Sequence, residues 1–270
     1  MTSLAQAESA IERPPGPSAG WLVVAGQELR DIWFSARGPA IIVAYSLLLS
    51  LLTYLAASNT ELNIIDQRDT VNLVTQIAMA LAVVVSLLFS ADSISGERER
   101  ETLESLLLTP VRRREIALGK LLAAVSVWPV MLVVAIPYIW ALRAGTGLFA
   151  DAVLAGLLVG TLLVAAFASL GLLVSIFSAS NRLSLAVTFF IFVVLLAPTQ
   201  LPLSGWVGDL IVQVNPMTAG STFLQRIIVK EHAWSDDVHL LIAPVVAALL
   251  LSAVALIVAG RLRLLGSFGR

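Results

Sequence analysis

Six apolar runs set the pattern of the chain. Residues 39–58, 71–91, 121–142, 152–178, 183–201 and 240–260 are predominantly apolar, and none of them contains Asp, Glu, Lys, Arg or His. A run of about 20 such residues is long enough to cross the hydrocarbon core of a bilayer as an α-helix, and a helix satisfies its own backbone polar groups there. The pattern predicts an all-α integral membrane protein with six transmembrane helices. The fourth run carries Gly156 and Gly160 in GxxxG spacing, continued by Ala168, Gly171 and Ser175. Small residues so placed let two helices approach closely, but they are also common in spans of every kind, and the sequence leaves both readings open.

Two semi-apolar stretches have a different pattern. Trp21 to Trp33 puts Trp21, Val24, Ala25, Leu29, Ile32 and Trp33 on one stripe, with Gln27, Glu28, Arg30 and Asp31 mostly opposite. This predicts an amphipathic connecting helix over 21–37, lying in the interface with its tryptophans at headgroup depth or packed on the ends of the spans. Between the fifth and sixth runs, residues 202–239 are too long for a simple turn. Trp206, Val207, Leu210, Ile211 and Val214 repeat at helical spacing, Asn215-Pro216 breaks the run, and Phe223, Leu224, Ile227 and Ile228 repeat again. Two short helices dipping into the outer leaflet as a cap are expected, with a solvated helical loop as the alternative. His232, Asp236, Asp237 and His239 could offer metal ligands, since 232, 236 and 239 share a helix face, but a wet charged loop is the ordinary explanation and no metal site is assigned. Residues 1–20, polar and proline-rich, read as a disordered tail and not as a cleavable signal.

Charge is concentrated in one connection. Residues 92–120, DSISGERERETLESLLLTPVRRREIALGK, hold twelve ionisable groups. Gly96 is expected to end the continuation of the second span, and Glu97 to Leu108 to form a short helix with acidic residues in its first turn, where the macrodipole favours them. Leu103, Leu106 and Leu107 would make a docking edge opposite Glu97, Arg98, Glu101, Glu104 and Ser105. Thr109 and Pro110 suit an N-cap and first helical position for a second helix, Val111 to Lys120, that leads into the third span. With the amino terminus inside, thirteen Lys and Arg fall on the cytoplasmic side and four outside. The positive-inside rule then places both termini, including the tail 261–270, and the 92–120 stretch in the cytoplasm.

Composition narrows the function. The chain of 270 residues is 58% hydrophobic and 13% charged, with a net charge of −1 and no cysteine. These values give no reason to expect nucleic acid, and they exclude disulfides and thiol chemistry. Uncharged spans speak against proton- or sodium-coupled carriage, which needs ionisable groups inside the membrane. No GxxxxGK[ST] phosphate loop occurs, so the chain is expected to be no enzyme and to bind no cofactor of its own. Energy would have to come from a partner.

The segment ERERETLESLLLTPVRRREIALGK resembles the signature of type 2 ABC transporter permeases, the ABC-2 family transmembrane subunits. Thr102-Leu103-Glu104, Leu106-Leu107, Thr109-Pro110-Val111, Arg114-Glu115-Ile116 and Gly119-Lys120 all fit; Glu101 departs, standing where the family commonly has glycine. The resemblance implies a coupling helix over Glu97 to Leu108, seated in a cleft of a separate nucleotide-binding ATPase. The ATPase-coupling residues would be Glu97, Arg98, Glu101, Thr102, Leu103, Glu104, Leu107, Thr109 and Pro110. Trp21, Glu28, Arg30 and Trp33 of the connecting helix would touch the same subunit, and the outer pair would be re-entrant. Two ATPase subunits carrying ATP and Mg would work with two permeases, a homodimer or a related heterodimer, in a bacterial cytoplasmic membrane. The expected function is ATP-driven export of a lipophilic drug, lipid or lipid-linked substrate. Asn72, Thr75 and Gln76 on the second span are pathway candidates or partners within the bundle. A self-contained channel or carrier and a non-transporting scaffold are the alternatives.

Overall fold

The computed structural model describes residues 20–58, 67–103, 111–142, 149–200 and 205–261. Among these residues there are eleven α-helices and two short 3₁₀ segments, with no strand. We number the helices α1 Gly20–Trp33, α2 Arg37–Ser58, α3 Gln67–Glu99, α4 Arg113–Val125, α5 Val127–Leu142, α6 Phe149–Phe177, α7 Asn181–Leu196, α8 Gly205–Val214, α9 Pro216–Ile228, α10 Trp234–Asp237 and α11 Ile242–Ala259. Six stretches are long and apolar enough to cross a membrane: Arg37–Leu55, Arg68–Glu99, Arg113–Leu142, Phe149–Phe177, Asn181–Thr199 and Trp234–Ala259. They coincide with the six apolar runs. The chain is a multi-pass membrane protein.

The helices α3 and α6 form the centre. Half or more of their most apolar windows is buried, 50% and 56%, against 17% for the first, fifth and sixth spans. The peripheral spans therefore turn apolar side chains such as Leu47, Phe190 and Leu249 outward, as helices facing lipid or another subunit must. Small residues allow the central contact. A Cβ at Gly171 would lie 2.6 Å from the Leu87 carbonyl oxygen and one at Gly156 3.2 Å from Thr75. The stripe on the fourth span is thus a close helix contact.

The third span is two helices meeting at Ser126. Pro129 has no N–H to offer the Val125 carbonyl, which weakens the ladder at that point, and Ser126 bonds the Ala123 carbonyl at 2.6 Å. Two helices form, one on either side of Asn215, as the repeat of apolar residues suggests. Asn215 caps α9 by accepting from the Met217 N–H at 2.9 Å, with Pro216 in the first turn. α9 buries Phe223, Leu224, Ile227 and Ile228 against the bundle, whereas α8 leaves Trp206, Leu210 and Val214 exposed.

Two boundaries differ from expectation. Gly96 does not end the second span's helix, which continues to Glu99. A helical glycine costs about 1 kcal/mol relative to alanine, and the residues that follow it find partners across the fold. The helix into the third span opens at Arg113, not at Val111. Arg112 is its N-cap, so Glu115 falls in the first turn, where its charge meets the helix N-terminus.

Candidate coupling site where the second and third spans meet

The last turns of α3 connect to four other helices. Glu97 points towards α4, where it meets Lys120. The Lys120 side chain is only 2% exposed, and its ammonium donates to Glu97 Oε1 at 2.7 Å and to Glu28 Oε1 of α1 at 2.5 Å. A buried ammonium is tolerated when paired and hydrogen-bonded, and here two carboxylates from two helices supply that pairing. α1 lies flat against α4 because Gly119 has no side chain: a Cβ there would come within 2.8 Å of Val24 and 2.9 Å of the Ala25 backbone nitrogen. Trp33 Nε1 adds a bond to Ser126 Oγ at 3.1 Å. The connecting helix therefore packs on the ends of the spans. Its polar face is split: Glu28 turns inward while Arg30 and Asp31 stay exposed.

Adjacent residues of opposite sign then serve opposite helix ends. The Arg98 guanidinium donates to the Ser178 and Ile176 carbonyls at the C-terminus of α6. Glu99 Oε2 accepts from the Asn181 N–H at the N-terminus of α7, at 3.1 Å. Each charge meets the complementary end of a helix dipole and a backbone group with no partner inside its own helix. Asn181 Nδ2 also donates to Asp92 Oδ1 at 2.6 Å, and Ser175 Oγ accepts from the Ile94 and Ser95 N–H groups at 3.0 and 2.9 Å. The α6–α7 turn is fastened to α3 along a whole turn of helix.

Beyond Glu99 the chain leaves α3 through a Schellman motif. The Thr102 N–H bonds the Glu97 carbonyl at 3.0 Å and the Glu101 N–H bonds the Arg98 carbonyl at 3.2 Å. This closure needs a left-handed residue, and Glu101 takes it at φ 61°. The short helix expected over Glu97 to Leu108 therefore does not begin at Glu97, which belongs to the last turn of α3. Thr102 is exposed; Leu103 is half-buried and packs on the cluster of Ile94, Ala117 and Leu172. Glu104, Leu107, Thr109 and Pro110 lie outside the described residues, as do Leu106 and Leu108.

A family model described as ABC-2 family transporter protein matches residues 22–262. The chain belongs to the ABC-2 transporter family. No match to a curated protein was found. As an ABC-2 permease it is a transmembrane component of an ABC transporter, a class of subunit that is in general non-catalytic and in general served by an ATPase partner. The left-handed residue of its Schellman turn, Glu101, is the one that departs from the resemblance, which commonly has glycine there, and glycine adopts this conformation without cost.

At the other end of the permease, Asn72, Thr75 and Gln76 lie inside the bundle. Thr75 bonds the Val71 carbonyl at 2.7 Å, and Gln76 Nε2 donates to Asn72 at 3.1 Å and to the Ser221 carbonyl of α9 at 3.4 Å. Asp237, 2% exposed, pairs with Arg226 at 2.5 Å and His232 Nδ1 at 2.8 Å. Among the described residues no group of three or more His, Cys, Asp or Glu is placed to hold a metal. Sequence reasoning did not single out Lys120, Ser126 or Asn181 as site residues. Lys120 carried the clearest signal, a lone cation bordering an uncharged run.

Proposed function

We propose that this permease is the membrane subunit of an ATP-driven exporter, with the connection between α3 and α4 as its docking element for a separate ATPase. The Lys120 clamp carries the proposal. It ties α1, α3 and α4 to one ammonium immediately beside the connection that an ATPase would grip. Motion imposed on that connection would reach the second and third spans and the connecting helix together, biasing a two-state pathway. The thirteen-to-four distribution of Lys and Arg supports a cytoplasmic location for this end of the bundle and for both termini, in a bacterial cytoplasmic membrane. Two ATPase subunits, holding ATP and Mg, would act on two permeases. The six apolar runs, which hold no ionisable group, favour a lipophilic drug, lipid or lipid-linked substrate over a small charged solute.

Charge reversal at Glu101 and Glu104 (Glu101→Lys with Glu104→Lys) tests the reading in the assembled complex. Loss of substrate-stimulated ATP hydrolysis with normal membrane insertion is expected; unchanged transport would sink it.

A further inference from the structure

Beside the clamp lies a cavity of about 360 Å³, within the range of roughly 300–1,000 Å³ typical of small-molecule sites. Its walls come from α1, the start of α2, the end of α3 and α4. The apolar side includes Ile32 and Phe89, and Phe89 belongs to the uncharged part of α3; the other side is ionic. The cavity therefore straddles the boundary between hydrocarbon and headgroups.

Much of the ionic lining is internally paired. Lys120 is taken by Glu28 and Glu97, and Arg100 lies 3.5 Å from Asp92. What is left over has both signs. Arg37 and Asp31 line the cavity, and among the described residues neither side chain makes an ion pair or hydrogen bond. One guanidinium and one carboxylate with no partner among the described residues complement a molecule that carries a phosphate and a cation bearing N–H groups.

We infer that this cavity holds the headgroup of a phospholipid with a primary ammonium, phosphate on Arg37 and ammonium on Asp31. A quaternary ammonium has no N–H for the Asp31 carboxylate, and binding one by its charge alone calls for an aromatic cage; among the described lining residues Phe89 is the single aromatic side chain. A glycerol headgroup offers the Asp31 carboxylate only neutral hydroxyl donors, which bond it more weakly than an ammonium does. The inference concerns the permease itself and holds with or without an ATPase partner.

Native mass spectrometry of the purified permease with equimolar dioleoyl phosphatidylethanolamine, phosphatidylcholine and phosphatidylglycerol tests it. The ethanolamine lipid should be retained about tenfold over each of the others, the factor expected from one charge-assisted hydrogen bond. Asp31→Asn should abolish the preference over phosphatidylglycerol, and Arg37→Gln should weaken retention of both. Both side chains are exposed, so unchanged elution of the variants confirms their fold. Equal retention of the three lipids, or a preference that survives both substitutions, overturns the inference. So does displacement of the lipid by micromolar phosphoethanolamine, which would mark the cavity as a site for a soluble ligand.

Discussion

Lys120 and Glu28 are 92 residues apart in sequence and 2.5 Å apart in the fold, joining the third span to a helix that precedes the first. Glu97 shares the same ammonium at 2.7 Å. One buried cation thus sets where the connecting helix sits relative to the two spans whose connection carries most of the family signature.

The clamp should be non-additive. Glu28→Gln or Glu97→Gln leaves the ammonium one carboxylate and should cost about 1 kcal/mol each, whereas the double variant strands a buried cation and should cost about 3–5 kcal/mol. A double-mutant cycle on apparent unfolding temperature in detergent reads the difference. Strictly additive effects would mean that the two carboxylates do not share the lysine.

Glu101 occupies a left-handed conformation at φ 61°, which costs an L-residue about 1–2 kcal/mol that glycine does not incur. Glu101→Gly should raise the unfolding temperature, and Glu101→Ala, which removes the same charge but keeps a Cβ, should not. Equal gains from both would assign the effect to charge.

Docking of the connecting helix rests on Gly119, where the volume of a side chain decides whether the two helices can touch. Gly119→Leu drives a side chain into Val24 and the Ala25 backbone, so α1 must lift from α4. Hydrogen exchange over residues 20–33 should rise while the spans insert as before. Protection of α1 at the level of the unsubstituted permease would show that the close approach at Gly119 does not hold it.

Much of this architecture is legible in the pattern of the chain. The six apolar runs locate the spans because hydrocarbon tolerates little else, and Asn215-Pro216 marks the break between α8 and α9 because an N-cap followed by proline has a local mechanism. The end of the second span was not legible at Gly96. Its helix is prolonged by Glu97, Arg98 and Glu99, whose partners lie on α4, α6 and α7, and such long-range pairing leaves no local trace. The partner of Glu28 left no trace for the same reason, as its place on the polar side of α1 gives no sign of a lysine 92 residues away. Glu101 was visible as a departure from the family signature, and the backbone supplies the meaning of that glycine.

The chain has no cysteine, so a single introduced thiol reports one location. If the proposed ATPase partner assembles with the permease, Glu104→Cys, within the α3–α4 connection, should crosslink to it through a short bifunctional reagent. Asp209→Cys, exposed on α8 at the opposite end of the bundle, should not. A crosslink from position 209, or none from position 104 in a complex that still hydrolyses ATP, would contradict the assignment of this connection as the place where the ATPase acts.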